Sequence, residues 1–364
     1  MSIPVVNFNL NDNPEFIKEL RKKVNQYFKD KKLSRYADIN MKVKTAFMLC
    51  LYFAPLFVLF SGFVHTLWFA MVLWSFMGLG MAGIGLAIMH DANHNAYSKN
   101  QRVNKVLGYL VNFIGGYHVT WKIQHNVLHH TFTNIEGYDE DISTNAMRLS
   151  PNSNQKGWAF KFQAFYAPFL YGLVSLNRVL TKDFDQVYRY HKKGLLSSQK
   201  ITLKRAVSEV VFNKIWYFGL TLLLPILMVQ IPWWQTLLGF LLMQFISGLI
   251  LVLVFQPAHV IEETDFYIVD KNSSVENNWA IHQMRTTSNF ANGSIWFSWL
   301  IGGLNFQIEH HLFPNICHVH YREISPIVMQ TAKEFNVPYH HHKTFFGALK
   351  SHFHLINRVG SIKR

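Results

Sequence analysis

The stretch Trp121–Ile142 reads WKIQHNVLHHTFTNIEGYDEDI and crowds three imidazoles, His125, His129 and His130, into one short run. On a helix, residues four apart share a face, so this spacing predicts His125 stacked on His129 with His130 beside them. At the chain's own histidine frequency, 19 in 364 residues, an H-x-x-x-H-H run is expected only ~0.05 times by chance. Two further clusters have similar spacing: His90-Asp91-Ala92-Asn93-His94 and Gln307-Ile308-Glu309-His310-His311. Seven imidazoles exceed the four ligands of a structural zinc site. Imidazole also suits iron and copper, and this many nitrogens point to two metals. Soluble di-iron bundles mix carboxylates with histidine, whereas these clusters are almost purely nitrogenous.

Something must bring the three clusters together. Half of the residues are hydrophobic and only 15% are charged, against about 25% charged in ordinary soluble domains. The apolar residues concentrate in two blocks, Thr45–Met89 and Ile215–Gln256. Each block is long enough to cross a bilayer twice at about 20 residues per crossing. The spans are expected at about 45–64, 67–89, 215–231 and 234–256. Ser61–Thr66 and Pro232-Trp233-Trp234 mark the turns, and Trp216, Tyr217, Trp233 and Trp234 are expected at the lipid–water boundary. Gly78, Gly80, Gly83 and Gly85 suit close helix packing in the second span.

No Lys or Arg occurs in residues 45–98 or 215–270. All basic residues therefore fall in three segments, which two hairpins place on one side of the membrane, the cytoplasmic side by the positive-inside rule. The expected architecture is an all-α integral membrane protein with four transmembrane helices in two hairpins. Residues 1–44 form a cytoplasmic N-terminal tail with an amphipathic helix, and 90–214 and 257–364 form a cytoplasmic helical cap over the dinuclear site. The three clusters then meet at the base of one bundle. The net charge of +14 flanks apolar blocks without any recognition motif, so nucleic acid is not an expected partner. Cys50 and Cys317 read as reduced packing residues. The first residues lack the apolar core of a secretory signal.

The order H-x-x-x-H, H-x-x-x-H-H, Q-x-x-H-H around two hairpins, with the phrase Asn305-Phe306-Gln307-Ile308-Glu309-His310-His311-Leu312-Phe313-Pro314, resembles the membrane fatty acid desaturases. The match runs from about residue 40 to the C-terminus. A glutamine opening the third box is similar to the front-end subgroup, which inserts a double bond between an existing one and the carboxyl end. The resemblance implies two iron ions and O2 as co-substrate, with His90, His94, His125, His129, His130, His310 and His311 as ligands and His259 as a further one. Gln307 would act through a water. The His-Pro-Gly-Gly haem motif of fused cytochrome b5 domains is absent, which implies a separate electron donor such as cytochrome b5 or ferredoxin. It also favours the bacterial inner membrane over the endoplasmic reticulum. Unactivated methylenes are neither acidic nor electrophilic, so such oxidations fall to a cofactor that the protein positions and shields.

Asp91, Asp139, Asp141 and Glu309 are candidates to orient the ligand imidazoles from behind. His118, His282, His318 and His320 lie close enough to the clusters to join them, whereas His340–His342 read as a solvated surface run. The aromatic-rich pieces 158–180 and 286–300 wall an acyl tunnel or rest on the membrane surface. Lys182, Arg189, Lys192, Lys193, Lys204 and Arg205 would grip a phosphate-bearing head group or serve topology. The acyl substrate itself would be linked to coenzyme A, a carrier protein or a phospholipid. Two other functions fit less well. A hydroxylase would use the same oxidant, and a metal transporter would need polar groups near the bilayer midplane, whereas these spans lack charged residues and the histidines collect outside them.

Overall fold

The computed structural model describes residues 6–270 and 273–362. Helix α1, Pro14–Asp30, leads into α2, Ile39–Phe60, and α3, Leu67–Asn93, the first hairpin of helices long and apolar enough to cross a membrane. Residues 118–132 form α4, and Gln163–Asn177 forms α5. The second hairpin is α6, Leu203–Met228, and α7, Trp233–Ala258. Four shorter helices follow: α8, Trp279–Thr286; α9, Gln307–Leu312; α10, Tyr321–Glu334; and α11, Phe345–Gly360.

Two of the helices begin before the expected spans because polar groups cap them outside the apolar blocks. Helix α2 starts at Ile39, where Asp38 Oδ1 accepts the Met41 N–H at 2.8 Å. Helix α6 starts at Leu203, where the Thr202 hydroxyl caps Arg205 N–H. Its first turns bury Ala206 and Val210 with Val187 and Tyr190 of the cap before the apolar run begins. Lys214 of α6 is buried and reaches Asp183 at 2.6 Å, which ties the second hairpin to the cap.

Helix α3 is the central strut: 72% of its apolar window is buried, against 33–39% for the other three. Its glycines make that possible. A Cβ on Gly78 would meet the Met243 carbonyl of α7 at 2.9 Å, and one on Gly80 would meet the Tyr52 backbone nitrogen of α2 at 2.6 Å. Such contacts need the missing side chain. The hairpin tips are joined as well, since Gln230 N–H donates to the Val64 carbonyl at 3.0 Å. Trp233 and Trp234 are exposed there, but Tyr217 is not a boundary residue. It is buried in the bundle and accepts the Gln244 amide at 2.7 Å.

The N-terminal residues are a docked part of the cap. Phe16, Leu20 and Val24 of α1 bury themselves with Ile324, Val328 and Ala332 of α10, and Asn7–Phe8 pairs in parallel with Ser274–Val275. His340–His342 form a short strand beside Ser288–Phe290, a surface run whose middle residue, His341, is exposed and whose flanking residues are half-buried. Helix α11 is locked underneath, where His352 donates through Nδ1 to the Val260 carbonyl (2.6 Å) and accepts the Tyr171 hydroxyl on Nε2 (2.7 Å).

Candidate metal centre

Helix α3 delivers His90 through a π-helical segment, Ile84–Ile88, that precedes the last turns Met89–Asn93. A second π-segment, Ile123–His129, lies inside α4. Such i→i+5 segments are rare and frequently mark functional sites. Here the His130 N–H bonds the His125 carbonyl, so residues five apart come into register. The Nε2 atoms of His125 and His130 lie 3.3 Å apart, and the rings of His125 and His129 stack with centroids 5.6 Å apart. The third cluster sits on α9, whose first turn is pinned by Asn289 Oδ1 accepting the Ile308 N–H at 3.0 Å. His259 follows the end of α7 and is fully buried.

All eight histidines converge. His90, His94, His125 and His310 form one group, and His129, His259 and His311 another, with the ligand atoms of each group within 4.8 Å of one another. His130 stands between them, its ring centroid 4.7 Å from that of His94 and 4.3 Å from that of His311.

The donor chemistry fits metal. Buried Nε2 atoms of His94, His129, His259, His310 and His311 have no hydrogen-bond partner among the described residues. The Nε2 of His125 faces those of His90 (3.0 Å) and His130 (3.3 Å). Five buried lone pairs without donors, beside three aimed at one another, would be costly for neutral side chains alone. Cations between them remove that cost. Burial first, and the neighbouring imidazoles second, hold His94, His125, His130, His310 and His311 well below the ordinary histidine range. They are neutral, the form that binds metal.

The opposite nitrogens are held by acceptors. His129 Nδ1 donates to Asp139 at 3.1 Å, with Asp141 at 3.5 Å. His311 Nδ1 donates to Gln283 Oε1 at 2.7 Å, and His259 Nδ1 to the Thr286 carbonyl at 3.2 Å. His310 Nδ1 meets the Tyr321 hydroxyl at 3.2 Å. The carboxylate, amide-oxygen and carbonyl contacts fix the tautomer that turns the Nε2 lone pair of His129, His311 and His259 inward, and the Tyr321 hydroxyl orients His310. Burial opposes the charge on Asp139, but His129 and the backbone N–H groups of Asn134 and Asp141 outweigh it and keep the carboxyl below its usual range. Asp141 is pushed up by burial and by Asp139.

The family model described as fatty acid desaturase matches residues 66–343. The sn-1 linoleoyl-lipid 6-desaturase of Synechocystis is 35% identical over 95% of this chain and 95% of its own length. The Arthrospira platensis protein of the same description is also 35% identical, over 94% of this chain and 92% of its own. The acyl-lipid (8-3)-desaturase of Physcomitrium patens is 33% identical over 96% of this chain and 72% of its own. The chain belongs to the fatty acid desaturase family. It is a membrane oxidoreductase that introduces double bonds into fatty acyl chains.

Within this desaturase, Asp139 and Asp141 stand behind the His129 ring, and Glu309 and Asp91 have other principal partners. Glu309 points away from the histidines and accepts from Asn289 (2.7 Å) and Tyr339 (3.0 Å). Burial pushes its carboxyl up to about 7, and its bonds tie α9 to Asn289 of the neighbouring strand and to Tyr339. Asp91 lies 3.8 Å from His90 Nδ1 and bonds His318 instead. Gln307 is buried with its Oε1 unpartnered among the described residues. His282 donates from Nε2 to the Thr133 carbonyl at 2.7 Å, and His320 reaches the Tyr36 carbonyl at 3.2 Å. His118 packs on Tyr109.

Trp158, Phe165 and Phe169 are 82%, 90% and 61% exposed, as is most of Trp296. These aromatics form an outer surface suited to lipid. Two of the basic candidates are engaged locally, Arg189 with Glu140 at 2.6 Å and Arg205 with Glu209 at 2.8 Å. Sequence reasoning missed Gln283 and Tyr321, which hold two of the imidazoles. Neither carried a spacing signal, since each reaches the centre only through tertiary packing.

Proposed function

We propose that this desaturase is of the front-end type and acts on a lipid-linked acyl chain at two iron ions, with O2 as oxidant. The observation that carries the reading is the convergence of eight histidines into two groups whose buried Nε2 atoms lack protein partners. His90, His94, His125 and His310 would hold one iron, and His129, His259 and His311 the other, with His130 between the two groups. The irons supply the oxidising power that side-chain acids and bases lack. The balance is simple: O2 takes two hydrogen atoms from neighbouring methylenes, two electrons from a donor and two protons, and leaves as two waters.

The chain's own residues position and exclude. Asp139, Gln283, Tyr321 and the Thr286 carbonyl fix four imidazoles from behind. The cap closes over them, leaving His129, His310 and His311 fully buried, so that water is kept from the oxidant. The apolar outer surface of α5 lies where an acyl chain would approach from the bilayer. Gln307, in place of a third-box histidine, would act through a water. The front-end and lipid-linked assignments draw on the names of the relatives, whose descriptions are of acyl-lipid and linoleoyl-lipid desaturases. Both termini and the metal centre are assigned to the cytoplasmic face, in a bacterial inner membrane, with electrons from a separate protein such as cytochrome b5 or ferredoxin.

Fatty acid profiling of a heterologous host by gas chromatography–mass spectrometry, with the double bonds located, tests the reading. The expected result is a new unsaturated peak between an existing double bond and the carboxyl end, absent with His129→Ala. A new alcohol, or a peak that survives His129→Ala, would sink it.

A further inference from the structure

A second buried polar cluster lies beside the histidines, outside the set that faces the metals. Lys44 on α2 is 2% exposed, yet it sits in an apolar helix, where an unpaired ammonium is very costly. Its Nζ lies 2.6 Å from His318 Nε2. His318 Nδ1 in turn lies 2.8 Å from Asp91 Oδ2, and the His318 backbone N–H donates to the same oxygen at 3.1 Å. The ammonium only donates and the carboxylate only accepts, so the proton positions follow. Lys44 donates to Nε2, Nδ1–H donates to Asp91, and His318 is a neutral ring with one tautomer. The Trp299 ring covers the ammonium at 5.4 Å, and Trp299 is itself held by Asn40 at 2.8 Å.

Asp91, Cys317 and His318 offer atoms close enough to hold a cation. The ammonium of Lys44 already supplies that charge, so a third metal is not required. The cluster instead joins three chain segments that are remote in sequence: the first span, the first box and the turn after the third box. It grips Asp91, the residue next to His90. His90 Nδ1 has no hydrogen-bond partner among the described residues, unlike the Nδ1 atoms of His129, His259, His310 and His311. The first box is therefore held through its backbone and Asp91 rather than through the ring itself.

We infer that Lys44, His318 and Asp91 form a neutral staple that positions His90 and His94, and that these three are positioning residues for the metal group to which His90 and His94 belong. The inference rests on the two-metal reading above.

Its test is metal content of the purified full-length protein in detergent after loading with ferrous iron, read by elemental analysis. Lys44→Met leaves Asp91 without its counter-charge, Lys44→Met/Asp91→Asn removes both charges, and His318→Gln keeps a donor for Asp91 and an acceptor for Lys44. The expected result is two irons per chain in the unaltered protein, about one in the first two variants, and about two in His318→Gln. Should Lys44→Met not purify as a single species, the uncharged double variant decides. Two irons retained in that double variant, or the same loss in His318→Gln, overturns the staple and leaves the two-metal reading intact. An unaltered protein that takes up no metal overturns both.

Discussion

His125 and His130 face each other with their Nε2 atoms 3.3 Å apart although they are five positions apart in the chain. An uninterrupted α-helix would rotate residues five apart well off a common face. The π-segment Ile123–His129 supplies the wider turn, and so α4 serves both metal groups, His125 one and His129 the other.

Deleting Val127 therefore has a definite outcome. The wider turn loses its extra residue, α-helical pairing resumes, and His129 and His130 swing off their targets. Desaturation should fall below detection and bound iron should drop, whereas Val127→Ala, which keeps the residue count, should retain both. Product analysis and elemental analysis check this together.

The groups behind the imidazoles should be nearly as important as the imidazoles. Gln283→Leu removes the acceptor for His311 Nδ1, and Asp139→Asn removes the charge facing His129. Each should weaken iron binding by roughly 10–100-fold. Competition with a calibrated chelator would measure it, and unchanged affinity in both variants would refute the assignment.

Acid should destabilise the protein for a reason separate from its metal. Burial pushes His282, His352 and His118 each down to about 4, against about 6.5 when unfolded. A folded pKa below the unfolded one means that the unfolded chain binds more protons as pH falls. Stability from these groups is complete above about pH 6.5 and is lost toward pH 4, at up to about 1.4 kcal/mol per pH unit for each histidine. His129, which Asp139 and Asp141 raise against the effect of burial, and the raised carboxyls of Glu309 and Asp141 act in the opposite sense, but the lowered histidines outnumber them. The apparent melting temperature should drop between pH 7.5 and pH 5, and His352→Gln should shallow that drop.

Helix packing makes a fourth prediction. Gly80→Ala drives a methyl group into the Tyr52 backbone, which cannot move aside as a side chain would, and should cost about 1–3 kcal/mol. Gly219 has open space where a Cβ would stand, so Gly219→Ala should be neutral or slightly stabilising. Thermal unfolding of the two variants in one detergent tests the contrast.

The histidine clusters and the four spans were legible because both are local signals, written as spacing and as apolar runs. What the sequence concealed depends on packing. Lys44 reads as the last basic residue of a tail, yet it lies inside α2 because the helix, capped by Asp38, starts at Ile39 rather than where the apolar run begins. Glu309 sits between Gln307 and His310 and invites assignment to the metal, but α9 turns it toward Asn289. Tyr217 carries the composition of a boundary residue and is drawn inward by Gln244. The π-segments have no marker residue, since neither Ile84–Ile88 nor Ile123–His129 contains a proline.

The best-shielded span is the one that ends in His90 and His94. An enzyme that adds double bonds to acyl chains changes the thickness and fluidity of the solvent around it. Those changes bear on the three outer helices, which meet lipid along most of their length, while α3 meets mainly protein. The span that carries His90 and His94 is thereby shielded from the product's own effect, and this part of the centre should keep its geometry in the stiff membrane the desaturase starts from and the fluid one it makes.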